Sequence, residues 1–316
     1  MQAGWQRVSR SVQAAVAYED QQASQGAIDL LLNVQDIGNL DWLAVRRDEA
    51  QAKQPAPLPL PTLNFDAEPP KVAGLTALDT EFMLATVSRQ FTTPGGQVLL
   101  FNLPQFYRRD ASGAWLRSAP PGSFWGNWLD WHGAKLDIRY SERDADFVAQ
   151  AASVLDQRLA DACAAWAGGC PTQTPIRLYL SGFVGSLEYN PLANIEVRVE
   201  VSTTSGEAPA PSDYFLSVPS PQIAGVPAND AGRSYLTDYL AVRLIAELAR
   251  QISTSPDGYA QRTSQAIQAL GLTNADPGYI SSGQRRHGPP VGAFLWSQGN
   301  MPLNPQDGAI SVWTTP

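Results

Sequence analysis

Histidine is scarce in this chain of 316 residues, in which His132 and His287 are the two present. A zinc-binding helix of the H-E-x-x-H type needs two histidines one turn apart, with a glutamate between them as general base. Neither histidine has another close to it in the sequence, so this motif is absent. The sequence also has no C-x-x-C pair and no cluster of cysteine and histidine, which excludes the common cysteine-based zinc sites.

The signatures of several other catalytic classes are missing as well. There is no G-x-S-x-G turn, no S-x-x-K pair, no G-x-x-x-x-G-K-[ST] phosphate loop and no G-x-G-x-x-G sequence that opens a helix. We interpret Asp144 and Asp146, which form a D-x-D, as acids that the dipole at the start of a helix favours. A glycosidase needs only two carboxylates at a suitable separation, so a carboxylate-dependent hydrolase with a cleft between domains is an alternative.

Lysine is rare, with Lys53, Lys71 and Lys135 its only positions, and the formal net charge is -8. Phosphate-rich partners need clustered cations, so we predict that the chain does not bind nucleic acid. No apolar run approaches the roughly 18 residues that a membrane span requires, and residues 1–5 lack the start of a signal peptide. We therefore expect no membrane span in this chain. The protein would then be either cytoplasmic, or exported with a signal that is not part of this chain.

The periodic segments predict an α+β protein in two parts. In the first part, apolar residues at helical spacing from Val8 to Val16 and again around 28–32 predict helices. A proline-rich spacer at 54–61 follows, and then strand-like runs at 72–78, 81–92, 97–107 and 115–118. We predict a domain over residues 1–122 in which helices pack on a curved antiparallel sheet.

The second part, predicted as a domain over residues 123–316, mixes strands and helices. Strands are expected at 136–140, 176–180, 195–201 and 214–218. An apolar stripe predicts a helix over 148–166, and a run that is apolar on almost every side predicts a central buried helix over 235–252. The tail from residue 273 is rich in Gly, Pro, Asn and Ser, so we expect loops with short ordered pieces at 291–296 and 310–313.

Two cysteines are present, Cys163 at the end of a predicted helix and Cys170 just past the pair Gly168 and Gly169. The glycines allow the chain to fold back, which would bring the two sulfur atoms together. A disulfide here would indicate an oxidising compartment, and the alternative is two ordinary thiols. We predict the disulfide.

A cluster of tryptophans, Trp125, Trp128 and Trp131, follows the predicted boundary at residue 122. One interpretation is that these rings are buried between the two domains. The other is an exposed row of indoles that stacks on sugar rings or on a hydrophobic partner.

The order of elements in the second part carries a resemblance. A short strand and an acidic patch at 136–146 lead into a long helix, and further strands, a Ser-Pro-x-x-x-Gly turn from Ser220 to Gly225 and the buried helix follow. This order resembles the peptidase MA-like domain of the gluzincin metalloproteases, as found in exported bacterial proteins. The resemblance implies that the buried helix occupies the place of the zinc-binding helix.

In that helix the family's H-E-x-x-H motif would fall on residues 246–250, where only Glu247 matches. Ala246 has no lone pair to offer, and Arg250 carries a permanent positive charge that repels a metal ion. The family's third ligand is a downstream glutamate, yet no glutamate follows Glu247 in the sequence. The resemblance therefore implies a degenerate domain without metal or other cofactor, in which Glu247 and Arg250 form a structural salt bridge. The alternative is an ordinary buried helix in which the two residues form an i,i+3 ion pair.

The hairpin at 97–121 carries a second resemblance. It contains Phe-Tyr-Arg-Arg-Asp at 106–110 and Gly-Ala-Trp-Leu-Arg-Ser at 113–118, and resembles the final hairpin of nuclear transport factor two/SnoaL-like domains. Members with such a hairpin are often non-catalytic, and a functional pocket needs a buried pair such as Asp and His. Asp79 and Glu81 are the nearest acids here, and we expect both to lie in loops.

Together these observations lead to the hypothesis of a non-catalytic extracytoplasmic ectodomain that binds or scaffolds, with a pseudo-metallopeptidase domain after a small curved-sheet domain. The expected partner is a protein or a polysaccharide, and the resemblance suggests tethering to a membrane. A carbohydrate or cell-surface binding module that uses the tryptophans is a further alternative, as is a cytoplasmic location.

Overall fold

The computed structural model describes residues 2–24, 64–65, 71–93, 96–170, 175–182, 198–203, 214–253, 256–272 and 310–311. The predicted helix at 28–32, the proline-rich spacer at 54–61 and the predicted ordered piece at 291–296 lie outside these ranges. The described chain is α+β, as the sequence predicts. Its α-helices are α1 Gln2–Ser24, α2 Ala145–Ala165, α3 Pro221–Ala224, α4 Asp230–Ile252 and α5 Pro256–Ala269.

The strands fall into two sheets. Those of the first part are β1 Asn64–Phe65, β2 Lys71–Ala77, β3 Phe82–Thr92, β4 Val98–Arg109 and β5 Trp115–Ser118. Those that follow are β6 Trp128–His132, β7 Leu136–Ser141, β8 Ile176–Ser181, β9 Arg198–Thr203, β10 Tyr214–Pro219, β11 Val226–Pro227 and β12 Ile310–Ser311. Short 3₁₀ helices lie at Gly122–Phe124 and Glu142–Asp144.

The first sheet is antiparallel and is built on the long hairpin of β3 and β4. Strands β1 and β2 pair with β3, whereas β5 and β11 pair with β4. The turn between β4 and β5 follows from the sequence. The Asp110 carboxylate accepts hydrogen bonds from Ser112 Oγ at 2.7 Å and from Ala114 N at 2.8 Å, and Gly113 has a φ of +89°, which favours glycine. The strands predicted for the first part are confirmed.

Helix α1 packs on one face of this sheet. Its inward residues Val12 and Val16 are 0% and 3% exposed, as the helical spacing of the apolar residues predicts. They share an apolar cluster with residues of three strands, Met83, Ala85, Val87, Tyr107 and Trp115. Burial of the two valines contributes about 3 to 6 kcal/mol before the entropy of ordering is subtracted.

The second sheet has the strand order β12-β9-β10-β8-β7-β6. Its centre is parallel, because β8 pairs in this sense with both β7 and β10, while β6, β9 and β12 are antiparallel to their neighbours. Adjacent parallel strands need a crossover connection, and α2 provides it between β7 and β8. The apolar stripe predicted for α2 is buried in the core: Val148, Ala152, Leu155, Leu159, Cys163 and Trp166.

Helix α4 is buried on nearly every side, as predicted. Its apolar pattern predicts a start at residue 235, but the helix begins at Asp230. The reason is the N-cap residue Asn229, whose side-chain oxygen accepts a hydrogen bond from Gly232 N at 2.8 Å and satisfies an amide of the first turn. Neither α4 nor any other helix in the described ranges is both long and apolar enough to cross a membrane.

The two parts of the chain are in contact through β11 and α4. Val226 of β11 pairs with Asn102 of β4, so a strand from the second part extends the first sheet. Gly232 brings α4 close to β4, because a Cβ atom there would lie 2.9 Å from the carbonyl oxygen of Leu100. The core around α4 includes three residues of the first sheet, Phe91, Leu99 and Phe101. The division into domains at residue 122 stays a prediction.

Candidate functional site

Positions 246 to 250 lie in the last turns of α4. Glu247 is 9% exposed, and Arg250, one turn later, donates from Nε to Glu247 Oε2 at 2.8 Å. A second bond joins Arg250 Nη2 and Glu247 Oε1, so the guanidinium and the carboxylate meet through two parallel hydrogen bonds. The predicted ion pair is therefore present, and both oxygens of the one carboxylate in the motif are in use.

Within the described ranges, no three or more His, Cys, Asp or Glu side chains are grouped so that they could hold a metal ion. His132 lies on β6, where its Nδ1 atom is 3.0 Å from Asp137 Oδ1 and its side chain is 75% exposed. His287 is outside the described residues. Asp79 accepts hydrogen bonds from the amides of Glu81 and Phe82 in the exposed turn before β3, which confirms that both acids are in a loop.

The D-x-D sequence does not form a pair of facing carboxylates. Asp146 is exposed in the first turn of α2, as expected for an acid at a helix start. Asp144 is 1% exposed and accepts hydrogen bonds from Ser141 Oγ at 2.8 Å and Ser220 Oγ at 2.7 Å. The interpretation that the helix dipole explains Asp144 is incomplete, because its side-chain partners are these serines and it makes no side-chain capping bond to α2.

Burial has a clear electrostatic effect on Asp144. Removal from water disfavours the ionised form and raises the pKa of this carboxyl to about 6, although the hydrogen bonds from Ser220 and Ser141 act in the opposite direction. Both serines are 0% exposed. The carboxyl group is thus enclosed, and this arrangement offers no path for a substrate to reach it.

Ser220 is the first residue of the Ser-Pro-x-x-x-Gly turn at residues 220–225. Its Oγ atom accepts a hydrogen bond from Gln222 N at 2.9 Å and so caps the short helix α3. Its amide donates to the carbonyl oxygen of Ser181 at the end of β8. Gly225 ends the turn with a φ of +125°. The turn therefore acts as a structural junction between β8, α3 and Asp144.

The three tryptophans do not form an exposed row. Trp125 is 3% exposed and packs edge-on against Phe124, with ring centroids 5.2 Å apart. Trp128 and Trp131 are half-buried on β6. They are an odd number of residues apart on this strand, so their side chains lie on opposite faces of the second sheet. Trp131 packs against the core. Whether these residues lie between two domains stays a prediction.

The first sheet also contains a cluster of buried polar side chains that was not predicted from the sequence. Gln105, Tyr107 and Arg117 are 8%, 1% and 6% exposed, and lie on β4 and β5. The signal was available, because alternation along a strand places residues 115 and 117 on the same side. Since Trp115 is buried against α1, Arg117 also points inward.

Comparison of the chain with models of protein families, with curated proteins and with solved structures finds no match. The resemblances to peptidase MA-like and to nuclear transport factor two/SnoaL-like domains therefore stay predictions.

Proposed function

We propose that this chain is a non-catalytic, extracytoplasmic protein that binds or scaffolds another molecule, and that its second part is a peptidase-like domain without zinc ligands. The observation that carries the proposal is the ion pair on α4. Glu247, the one residue that matches the zinc motif, has both carboxylate oxygens bonded to Arg250.

The chemistry of the three motif positions supports the loss of the metal. Zinc binding requires several lone pairs converging at about 2.0 to 2.2 Å, and the methyl group of Ala246 supplies none. A zinc ion at Glu247 would have to displace a guanidinium that is permanently charged. No glutamate follows Glu247 in the sequence to serve as a third ligand.

The order and pairing of the elements support a peptidase-like arrangement. The crossover β7-α2-β8 and the parallel pair β8-β10 lead through α3 into the buried helix α4. A disulfide between Cys163 and Cys170 is compatible with an oxidising compartment outside the cytoplasm. These two features favour an exported protein of the proposed type.

A zinc titration tests the proposal. We expect that added zinc does not change the thermal unfolding temperature and does not produce peptidase activity. We also expect that the purified protein contains no stoichiometric zinc. The double substitution Ala246→His and Arg250→His should still bind zinc poorly, since the third ligand is missing. Stoichiometric zinc coordinated near Glu247 in the wild-type protein would overturn the proposal.

One observation favours a polysaccharide as the partner. The rings of Trp128 and Tyr179 are in contact, with centroids 5.2 Å apart, and neither residue is fully buried. Tyr179 lies between the buried residues Leu178 and Leu180 of β8, so it points away from the core. Aromatic rings in such a position can pack on the apolar face of a sugar.

A sedimentation assay with insoluble bacterial cell-wall polysaccharide tests this candidate. Wild-type protein should co-sediment, and Trp128→Ala should reduce the bound fraction at least severalfold. The matched control Trp131→Phe changes a ring on the core side and should bind as the wild type does. Equal retention of wild type and Trp128→Ala would leave a protein partner as the better candidate.

A further inference from the structure

Arg117 on β5 is a buried cation with unused hydrogen-bond donors. It is 6% exposed, and its Nε and Nη1 atoms are fully buried without a hydrogen-bond partner in the described structure. Its guanidinium lies 5.7 Å from the centre of the Tyr107 ring. Buried charged groups are normally paired and hydrogen-bonded, because removal from water without a partner is costly. An acceptor is therefore expected beside Arg117.

The neighbours of Arg117 are polar but do not supply that acceptor. Tyr107 lies directly opposite Arg117 in the pairing of β4 with β5, and Gln105 follows two residues away on the same face. The hydroxyl of Tyr107 donates to Gln105 Oε1 at 3.0 Å, and neither side chain accepts a hydrogen bond from the buried Nε or Nη1 atom of Arg117. We call these three residues the Arg117 cluster.

The surroundings of the Arg117 cluster are apolar. The layer between α1 and the sheet is formed by Val12, Val16, Met83, Ala85, Val87 and Trp115. No described acidic side chain forms an ion pair with Arg117, and the residues that pack at the edge of the layer are also hydrophobic: Val8, Ala15, Val72, Leu75 and Leu103. A negative charge that neutralises Arg117 would thus come from outside the described part of the chain.

We propose that the Arg117 cluster is a binding site for a small ligand with one carboxylate group, held beneath α1. The planar guanidinium matches a carboxylate in geometry and charge. A monoanionic carboxylate also loses less hydration energy in an apolar layer than a doubly charged phosphate does, and an aliphatic tail would suit the valine and methionine side chains. This site is independent of the zinc positions on α4.

Thermal unfolding in sodium butyrate tests the site, with sodium chloride and sodium phosphate at the same pH and ionic strength for comparison. For the wild type we expect a saturable rise in Tm with butyrate, of about 5 °C at 100 times Kd. Arg117→Met should show no such rise, and in chloride it should be at least as stable as the wild type, because a buried unpaired charge is removed. The exposed Arg109 lies on the same hairpin, and Arg109→Met should respond to butyrate like the wild type.

Calorimetric titration of butyrate into the wild type and into Arg117→Lys covers the case in which the methionine variant does not fold. The lysine keeps the charge but loses the planar fork, so its affinity should be at least tenfold weaker. Two results would overturn the proposal. One is a wild type that does not respond to butyrate, which would mean that the chain itself neutralises Arg117. The other is equal stabilisation by phosphate, which would contradict the assignment to carboxylates.

Discussion

The hydroxyl of Ser220 donates a 2.7 Å hydrogen bond to the carboxylate of Asp144, which lies 76 residues earlier in the chain. The bond joins the start of α2 to the turn that leads into α3. Both side chains are buried. The carboxyl group therefore accepts hydrogen bonds from the hydroxyls of Ser141 and Ser220 where an exposed carboxyl group would accept them from water. Its pKa of about 6 shows that burial outweighs these hydrogen bonds, and this imbalance has a measurable consequence.

Asp144→Asn should change how stability depends on pH. The folded pKa of about 6 lies above the ordinary value of 3.8, so the folded state binds the proton more tightly than the unfolded state does. The resulting stabilisation is complete below pH 3.8 and is lost as the pH rises through 6. It amounts to about 3 kcal/mol. Asparagine does not titrate, so the stability of the wild type relative to the variant should fall by this amount between pH 3.5 and 7.5.

Urea unfolding of both proteins at several pH values measures this difference. Asp146→Asn, which changes an exposed carboxylate of the same D-x-D, serves as the control and should show a much smaller dependence. If the difference between wild type and Asp144→Asn were the same at every pH, the carboxyl would not be the buried, titrating group described above.

Asn229→Ala should weaken the contact between the two parts of the chain. The side chain of Asn229 accepts hydrogen bonds from Gly232 N at 2.8 Å and Leu100 N at 3.2 Å, and donates to the carbonyl oxygen of Val98 at 3.2 Å. Loss of a helix cap and of two bonds to β4 should lower the free energy of unfolding by about 2 to 4 kcal/mol. Asn229→Asp keeps the accepting oxygens and should cost less. Equal losses for the two variants in urea unfolding would contradict this account.

Replacement of Cys163 and Cys170 by serine should destabilise the protein. The two cysteines form a disulfide across 7 residues of sequence, with Cα atoms 5.0 Å apart. The chain-entropy estimate for so short a loop is about 2 to 3 kcal/mol. We expect this loss in urea unfolding of the double variant, and a similar loss when the wild type is reduced. The double variant itself should not respond to reductant, and an undiminished stability would show that the loop is ordered without the bond.

Gly182→Ala should disturb the burial of Trp125. A Cβ atom at residue 182 would lie 2.7 Å from Trp125 Cε2 and 2.9 Å from Cζ2, too close for a rigid indole that is 3% exposed. Repacking should cost about 1 to 3 kcal/mol, seen as a lower Tm. Gly122→Ala is the matched control, since a Cβ atom there meets nothing within 4 Å. Similar Tm values for the two variants would show that Trp125 moves freely.

Local spacing in the sequence was sufficient to predict the features that one element contains. The periodic valines of α1, the apolar stripe of α2 and the Glu247–Arg250 pair all depend on a repeat set by the helix itself. The disulfide belongs to the same class, because the glycines that let the chain fold back stand between its cysteines. Such features can be predicted without knowing which other elements pack against the one that contains them.

Only the tertiary structure decided which distant residues meet. The D-x-D sequence is the same whether Asp144 faces water or the hydroxyl of Ser220, and the difference arises from how the turn before α3 packs on α2. In the same way, the pairing of Val226 with Asn102 depends on which strands lie side by side in the first sheet. Alternation along a strand determines which residues share a face, but the packing of other elements determines which face is buried. The burial of Arg117 beneath α1 was decided in this way.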